Sequence, residues 1–112
     1  MGRVSKEKTV VFYQDAAGHE PFTEWIEGFR DERDRRRILQ RVFRMESNNY
    51  GDFKSLRGGV YELRLHFGAG YRVYFAEDGN TIIVLLCGGD KSTQKKDIEK
   101  AKDYWKEYTR HA

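Results

Sequence analysis

The sequence lacks several features on which small proteins often depend. Its single cysteine, Cys87, excludes an intrachain disulfide and cannot supply a cysteine-based zinc site, which fits a reducing cytoplasm. No spacing of His, Cys and carboxylate residues resembles a metal site, and no phosphate-binding loop of the GxxxxGK type is present. We therefore predict a protein that uses neither a metal nor a cofactor.

Long apolar runs are also missing from the sequence. No segment approaches the roughly 20 apolar residues that a membrane-spanning helix requires. The opening letters MGRVSKEK contain no apolar stretch of the kind found in a signal peptide. These two absences predict a soluble, cytoplasmic protein with no membrane partner.

Charge and length limit the possibilities further. The 21 basic and 18 acidic residues give a net charge of +3, a weak excess that permits an RNA partner without requiring one. With 112 residues, the chain is long enough for one hydrophobic core and too short for two ordinary domains. We expect a single domain spanning residues 1–112.

The middle of the chain reads as three consecutive antiparallel strands followed by a glycine-rich, basic loop, over the letters VYELRLHFGAGYRVYFAEDGNTIIVLLCGGDKST. A three-residue turn at 68–70 would place Leu65 opposite Val73 and His66 opposite Arg72. A slip of one residue would bury the charged side chains, so we expect the pairing to be strongly fixed.

The second hairpin of this segment is predicted from its turn. Asp78 and Gly79 are the favoured pair for a two-residue turn, which would place Phe75 opposite Ile82. The apolar run 82–87 has no polar face, which predicts a central strand covered on both sides. This strand returns to the first turn, so the loop that follows it should lie there too.

Positively charged side chains gather at this end of the predicted sheet. Alternation along the strands places Arg64, His66 and Arg72 on one face together with Glu62, and the closing loop brings Lys91 close to them. Like charges on neighbouring strands repel, and a bound anion would relieve the repulsion. The alternative is that these long side chains spread into water around Glu62.

Three other motifs each have two interpretations. Gly88 and Gly89 either allow backbone amides to approach a phosphate or form a plain turn between strand and helix. The arginine-rich segment 33–37 suits nucleic acid, but its interspersed acidic residues favour a solvated helix face. Cys87 ends a buried strand, which favours a core residue over a nucleophile.

The remaining elements follow from side-chain periodicity. Residues 8–13 form a β-branched and aromatic run that predicts a first strand, and Pro21 opens a helix with one apolar face. A second helix is predicted over about 31–47, and a short strand or extended lead over 52–57. Thr93 is expected to cap a last helix of about 15 residues. The predicted fold is α+β, with a curved antiparallel sheet, an N-terminal helix pair on one face and a C-terminal helix.

Four motifs together, LRGG, YELR, GYRVYF and CGGDKSTQ, resemble those of the RelE/ParE toxin superfamily. The likeness extends from about residue 8 to residue 108, and the sequence is most similar to the HigB-like branch of addiction-module killer proteins. The resemblance implies the RelE/ParE-like fold and a toxin of a type II toxin–antitoxin module, neutralised by a helix-turn-helix antitoxin. It also implies an endoribonuclease that cleaves mRNA in the ribosomal A site without a metal.

The resemblance assigns expected roles to individual residues. The arginine of the family's GYR motif falls on Arg72, which would hold the scissile phosphate, and the basic residue of the preceding strand falls on Arg64. The basic residue of the LRG segment falls on Arg57, and that of the loop after the last strand falls on Lys91. We expect catalysis by Arg72, Arg64, His66 and Lys91, with RNA contacts from Lys54, Arg57, Glu62 and Asp90.

The residue that moves the proton stays open, because the sequence departs from the family at two points. Glu62 stands where some RelE members have a lysine, and the loop before the last helix lacks the tyrosine that serves those members as a base. His66, Glu62 or Asp90 would act instead, and His66 is favoured because imidazole exchanges protons near neutral pH. Two rival functions also stay open: a non-catalytic ParE-like toxin of DNA gyrase, and an inactive relative that only binds an antitoxin.

Overall fold

A five-stranded mixed sheet forms the centre of the fold. The computed structural model describes residues 7–111, so both ends of the predicted domain and most of the MGRVSKEK opening lie outside the described residues. The strands in chain order are β1 (Thr9–Phe12), β2 (Phe53–Ser55), β3 (Val60–Arg64), β4 (Arg72–Asp78) and β5 (Ile82–Gly89). They lie side by side in the order β1-β5-β4-β3-β2.

Helices cover both faces of this sheet. They are α1 (Pro21–Glu27), α2 (Glu32–Arg44) and α3 (Gln94–Arg110), with short 3-10 turns at Met45–Ser47 and Lys91–Thr93. Apolar residues of α1 and α2 pack into a core on one face, and those of α3 pack into a second core on the other. None of the helices within residues 7–111 is long and apolar enough to cross a membrane.

The predicted helices are confirmed, because their signals are local. The Asp31 side chain accepts hydrogen bonds from the backbone N–H groups of Arg33 at 2.9 Å and Asp34 at 3.3 Å, so α2 begins where its sequence predicts. The last helix has 17 residues and starts after Thr93, as expected. The Thr93 hydroxyl does not cap it, however, because this hydroxyl hydrogen bonds with the Asp97 carboxylate instead.

The first strand corrects the prediction of an antiparallel sheet. β1 pairs with β5 in parallel, and Thr9 donates from its backbone N–H to the carbonyl of Thr81 at 2.7 Å. A parallel pair requires a crossover connection, and here the chain between β1 and β5 carries two helices and three strands. The α+β class is confirmed, but the sheet is mixed.

The first hairpin has a different register from the predicted one. Leu63 rather than Leu65 pairs with Val73, and Arg64 rather than His66 pairs with Arg72. The cause is a longer connection between β3 and β4, in which the backbone N–H of Gly70 closes a turn on Phe67. Since the shift is two residues, every strand side chain stays on its predicted face.

The register of the second hairpin differs from the predicted register by an odd number of residues. Asp78 pairs with Ile82, so residues 79–81 form a three-residue turn in place of the predicted two-residue turn. Phe75 consequently pairs with Leu85 instead of Ile82. An odd slip exchanges the two faces of a strand, and β5 tolerates either choice because it is apolar throughout.

A bulge in β4 adjusts the pairing close to the basic residues. The register shifts between Tyr74 and Phe75, which places Arg72 opposite Gly89. Bulges re-aim side chains near the ends of sheets. The prediction that the loop after β5 returns to Arg72 is therefore confirmed.

The predicted central strand is confirmed as well. β5 lies between β1 and β4, and its residues 83–86 have no exposed surface. Ile83 and Leu85 belong to the core beneath α1 and α2, while Val84 and Leu86 belong to the core beneath α3. Its continuous apolar run thus serves two cores at once.

Candidate active site beside the β3–β4 turn

Two arginines lie side by side on the sheet face that α3 covers. Arg64 in β3 is the direct cross-strand partner of Arg72 in β4. The Arg64 side chain is 30% exposed, whereas that of Arg72 is only 10% exposed. Directly opposed like charges repel, so a nearby anion is required to hold this pair.

The Glu62 carboxylate supplies that negative charge from below the surface. It is fully buried, and it accepts hydrogen bonds from Arg64 Nε at 3.0 Å, Tyr74 Oη at 3.1 Å and Gln94 Nε2 at 2.8 Å. Burial by itself raises the pKa of a carboxyl group, but the hydrogen bonds from Gln94, Arg64 and Tyr74 outweigh it. The pKa of Glu62 is therefore lowered.

The Arg72 guanidinium is held mainly by backbone atoms. Its Nη1 donates to the carbonyl oxygens of Gly70 at 3.2 Å and Tyr71 at 3.4 Å. Its Nε lies 3.8 Å from Glu62 Oε2, too far for a hydrogen bond, and is buried without a hydrogen-bond partner within the described chain. Arg72 therefore keeps hydrogen-bonding capacity that the protein does not use.

His66 lies in the β3–β4 turn and is oriented by a carboxylate. Its Nε2 is 2.5 Å from Oδ2 of Asp52, and its side chain is 71% exposed. The hydrogen bond with His66 lowers the pKa of Asp52, and the charges of Arg64 and Arg41 act in the same direction. A histidine with one ring nitrogen bound to a carboxylate presents the other nitrogen in a fixed direction.

One pocket brings together three of the predicted catalytic residues. His66, Arg72 and Lys91 all line it, together with the backbone of the turn at 68–70. Lys91 packs along Gly70 so closely that a Cβ on this glycine would lie 2.8 Å from Lys91 Cδ. Because Arg64 pairs with Arg72, all four residues predicted to be catalytic lie at this end of the sheet.

The four residues predicted to contact RNA are spread more widely. Lys54 is exposed and pairs across strands with Glu62, so it lies on the same face as Arg64. Arg57 is exposed in the turn before β3, about 13 Å of strand away from Arg64. Glu62 is buried, as described. Asp90 binds within its own turn, accepting from the backbone N–H and the hydroxyl of Ser92 at 2.8 and 2.6 Å.

The two glycines at the end of β5 are required by packing. A Cβ on Gly88 would lie 2.2 Å from the Trp25 ring, and one on Gly89 would lie 1.8 Å from Oδ2 of Asp97. Both glycines pair with β4 in the ladder. They therefore allow α1 and α3 to approach the sheet, which is neither of the two interpretations made from the sequence.

Cys87 belongs to the core beneath α3, as predicted. It is buried, and its Sγ lies 3.8 Å from the carbonyl oxygen of Asp97. Burial raises the pKa of the thiol to about 12, so the reactive thiolate does not form near neutral pH. Within residues 7–111, no group of three or more His, Cys, Asp or Glu side chains is arranged to hold a metal ion.

Comparisons with known proteins identify the family of the chain. Residues 24–106 match the family described as "Phage derived protein Gp49-like (DUF891)". The chain belongs to the Gp49-like family. A Haemophilus influenzae protein described only as an uncharacterized protein is 44% identical over 81 residues, which cover 72% of this chain and 82% of that relative.

The Gp49-like family belongs to the RelE/ParE-like toxin superfamily and is a family of toxins from toxin–antitoxin systems. An antitoxin partner is therefore implied for this Gp49-like protein. The matched residues include every strand except β1 and all the residues of the candidate site. The superfamily resemblance found in the sequence is thus confirmed at this level.

Three residues around the site were missed by reasoning from the Gp49-like sequence. Asp52 reaches His66 because β2 pairs with β3, and the backbone N–H of Arg64 donates to the Asp52 carbonyl at 2.9 Å. Tyr74 is the cross-strand partner of Glu62, and its hydrogen bond to the Glu62 carboxylate was not predicted. Gln94 gave no signal at all, since its contact with Glu62 depends on how α3 docks.

Proposed function

We propose that this Gp49-like protein is a HigB-like toxin of a type II toxin–antitoxin module. In this proposal it is a metal-independent endoribonuclease that cleaves mRNA on the ribosome and is neutralised by a helix-turn-helix antitoxin. The observation that carries the proposal is the pocket lined by His66, Arg72 and Lys91, with Arg64 beside it. A surface that only binds protein has no chemical need to gather these side chains in one place.

The proposed reaction is an internal phosphoryl transfer. The ribose 2′-oxygen attacks the adjacent phosphorus, so a bond from O2′ to phosphorus forms and the bond from phosphorus to the leaving 5′-oxygen breaks. The products are a 2′,3′-cyclic phosphate and a 5′-hydroxyl. Negative charge increases on the non-bridging oxygens, and Arg72, Arg64 and Lys91 stabilise it.

His66 is the proposed proton carrier. Its ring nitrogen opposite the one bound to Asp52 is available for the proton of the 2′-hydroxyl. The leaving 5′-oxygen departs on the opposite side of the phosphorus and takes its proton from water. Lys54 and Arg57 are proposed to contact RNA farther along the exposed side of the sheet. We assign Glu62 to holding Arg64.

Asp90 has a proposed role in shaping the loop that carries Lys91. Its carboxylate binds Ser92 in the 3-10 turn that follows β5. A loop fixed in this way holds the lysine against the β3–β4 turn, where the Lys91 N–H donates to the Ala69 carbonyl at 3.4 Å. Fixed positioning of a charged group reduces the reorganisation needed during the reaction.

Purified protein added to ribosomes translating a defined mRNA tests the proposal. Cleavage is read by primer extension, and we expect cuts at codons in the A site. Cleavage should persist with EDTA at concentrations that leave ribosomes intact. Arg72→Ala should lower the rate about 10²–10³-fold, because one group that stabilises the transition state is lost.

The matched control is Arg110→Ala, which removes the same charge from the far end of α3, where Arg110 pairs with Glu107. This variant should cleave at the wild-type rate. Intact mRNA combined with gyrase-dependent DNA breaks would assign the protein to the ParE kind. Neither activity, with antitoxin binding retained, would assign it to the inactive relatives.

A further inference from the structure

Five of the six arginines of α2 fall into two groups. Arg35 and Arg36 both pair with Glu32, the latter through Nη2 at 3.8 Å. Arg37, Arg41 and Arg44 form the other group. Within the part of the chain that the structure describes, no ion pair joins any of these three to a carboxylate.

The second group has the spacing of a single helix face. Positions i, i+4 and i+7 follow one another along the helix, so the three positive charges are neighbours within about 10 Å. The Arg37 guanidinium lies 3.9 Å from the centre of the Phe67 ring. Arg41 donates to the carbonyl oxygens of Tyr50 at 3.0 Å and Arg64 at 3.1 Å, which fixes the middle of the row.

These arginines line a groove that meets the candidate active site. Arg64 and His66 form its other wall, and His66 also lines the catalytic pocket. Burial and the charge of Arg44 lower the pKa of Arg41, and the negative charge of Asp52 opposes them. The Asp52 carboxylate is itself hydrogen bonded to His66. Positive charge therefore continues from Arg72 across the β3–β4 turn and along α2.

We propose that this groove is a second RNA-binding site, which takes the phosphodiester backbone of the strand whose scissile phosphate lies at Arg72. The inference rests on the proposed RNA substrate and extends it. Like charges four residues apart on a helix destabilise it, and phosphates bound along the row would relieve the repulsion. The lining is mostly arginine, glutamine and histidine, with Leu65 and Phe67 as its apolar members, which suits a charged backbone rather than an apolar ligand.

The arginine-rich run 33–37 is thereby divided. Arg35 and Arg36 belong to a solvated face stabilised by local ion pairs, as the interspersed acidic residues predict. Arg37 belongs to the groove with Arg41 and Arg44. Under this proposal, each interpretation of the run applies to a different part of it.

The test is salt-dependent binding of a fluorescein-labelled, unstructured RNA oligonucleotide, measured by fluorescence anisotropy. Arg37→Gln combined with Arg44→Gln removes two groove charges from exposed positions. The matched control, Arg35→Gln combined with Arg36→Gln, removes two charges from the same helix outside the groove. Each phosphate contact contributes about −0.7 to the slope of log affinity against log salt, so the groove variant should have a slope about 1.4 less steep.

The difference in slope can also be measured as the affinity that each protein loses between two salt concentrations. Between about 50 and about 200 mM salt, the groove variant should lose about sevenfold less affinity than the wild type. The control should follow the wild type. Arg44→Gln alone should change the slope by about 0.7, which separates a lost phosphate contact from a folding defect in the double variant.

The outcomes separate this inference from the proposed function. If the wild type cleaves mRNA while the groove variant binds RNA as the wild type does, the second site is wrong and the nuclease stands. If the groove variant weakens RNA binding as expected but no cleavage occurs, the nuclease is wrong and the second site stands. Loss of antitoxin binding with unchanged RNA binding would assign the groove to the protein partner and overturn the inference.

Discussion

Replacing Glu62 with glutamine tests the electrostatic design of the site. The substitution keeps the size of the side chain and removes its charge, while Arg64 Nε, Tyr74 Oη and Gln94 Nε2 still point at it as donors. A glutamine amide offers one acceptor oxygen in place of two. Removing one partner of a buried ion pair typically costs about 3–5 kcal/mol. We expect Glu62→Gln to lower the free energy of unfolding by an amount in this range.

The size of this effect makes it easy to measure. A small domain is stable by about 5–15 kcal/mol, so the variant should stay folded in buffer and unfold at a clearly lower urea concentration. The exposed Glu99 on α3 provides a control, because Glu99→Gln makes the same chemical change away from any buried charge. Surface changes of this kind stay within about 0.5 kcal/mol.

The pH dependence of this difference gives a second readout with a fixed sign. The folded-state pKa of Glu62 lies below its ordinary value of 4.5, so the carboxylate stabilises the folded state fully above that pH. As pH falls through the folded-state pKa, this contribution is lost in the wild type and has no counterpart in the variant. The wild type and Glu62→Gln should therefore converge in stability as pH falls from about 5 towards 3. A difference below about 0.5 kcal/mol at neutral pH, or one that grows on acidification, would refute the reasoning.

Three further predictions concern α1 and α3. Gly88→Ala should destabilise the fold by about 1–3 kcal/mol in urea unfolding, because its Cβ would enter the Trp25 ring, and a wild-type midpoint would contradict that packing. Tyr108→Phe should cost about 0.5–1.5 kcal/mol through loss of the 2.7 Å hydrogen bond to Asp78, and no change would mean that water replaces the bond. Hydrogen exchange of residues 94–108 should remain slow when the antitoxin binds, since α3 closes a core; faster exchange would indicate that the antitoxin displaces it.

The elements of this fold could be predicted because their signals are local. Pro21 and Gly28 mark the ends of α1, and Asp31 marks the start of α2. The face of each strand was also predictable, since alternation has a period of two. The predicted register of the first hairpin was wrong by two residues, which left the face of each side chain unchanged. The basic residues therefore lie on one face despite the wrong register.

The pairing itself could not be predicted, because it depends on turn geometry. β3 ends at Arg64 and β4 begins at Arg72, so the first turn is longer than the three residues assumed, and both Gly68 and Gly70 in it adopt positive φ. The bulge beside Tyr74 left no mark in the sequence, although it sets Arg72 opposite Gly89. The direction of β1 was equally hidden, because a strand followed by helices can return to a sheet on either edge.

The burial of Glu62 explains how two arginines can share one site without a bound ligand. The single Glu62 carboxylate removes part of the repulsion between Arg64 and Arg72. It leaves other N–H groups of the two guanidinium groups available to a ligand on the solvent side. Burying a carboxylate is costly unless its oxygens are hydrogen bonded, and Tyr74 and Gln94 provide those bonds. Gln94 is the first residue of α3, so the charge balance of the site requires this helix to be docked. A change that loosens α3 should therefore weaken the proposed cleavage, because the Gln94 hydrogen bond to Glu62 is lost.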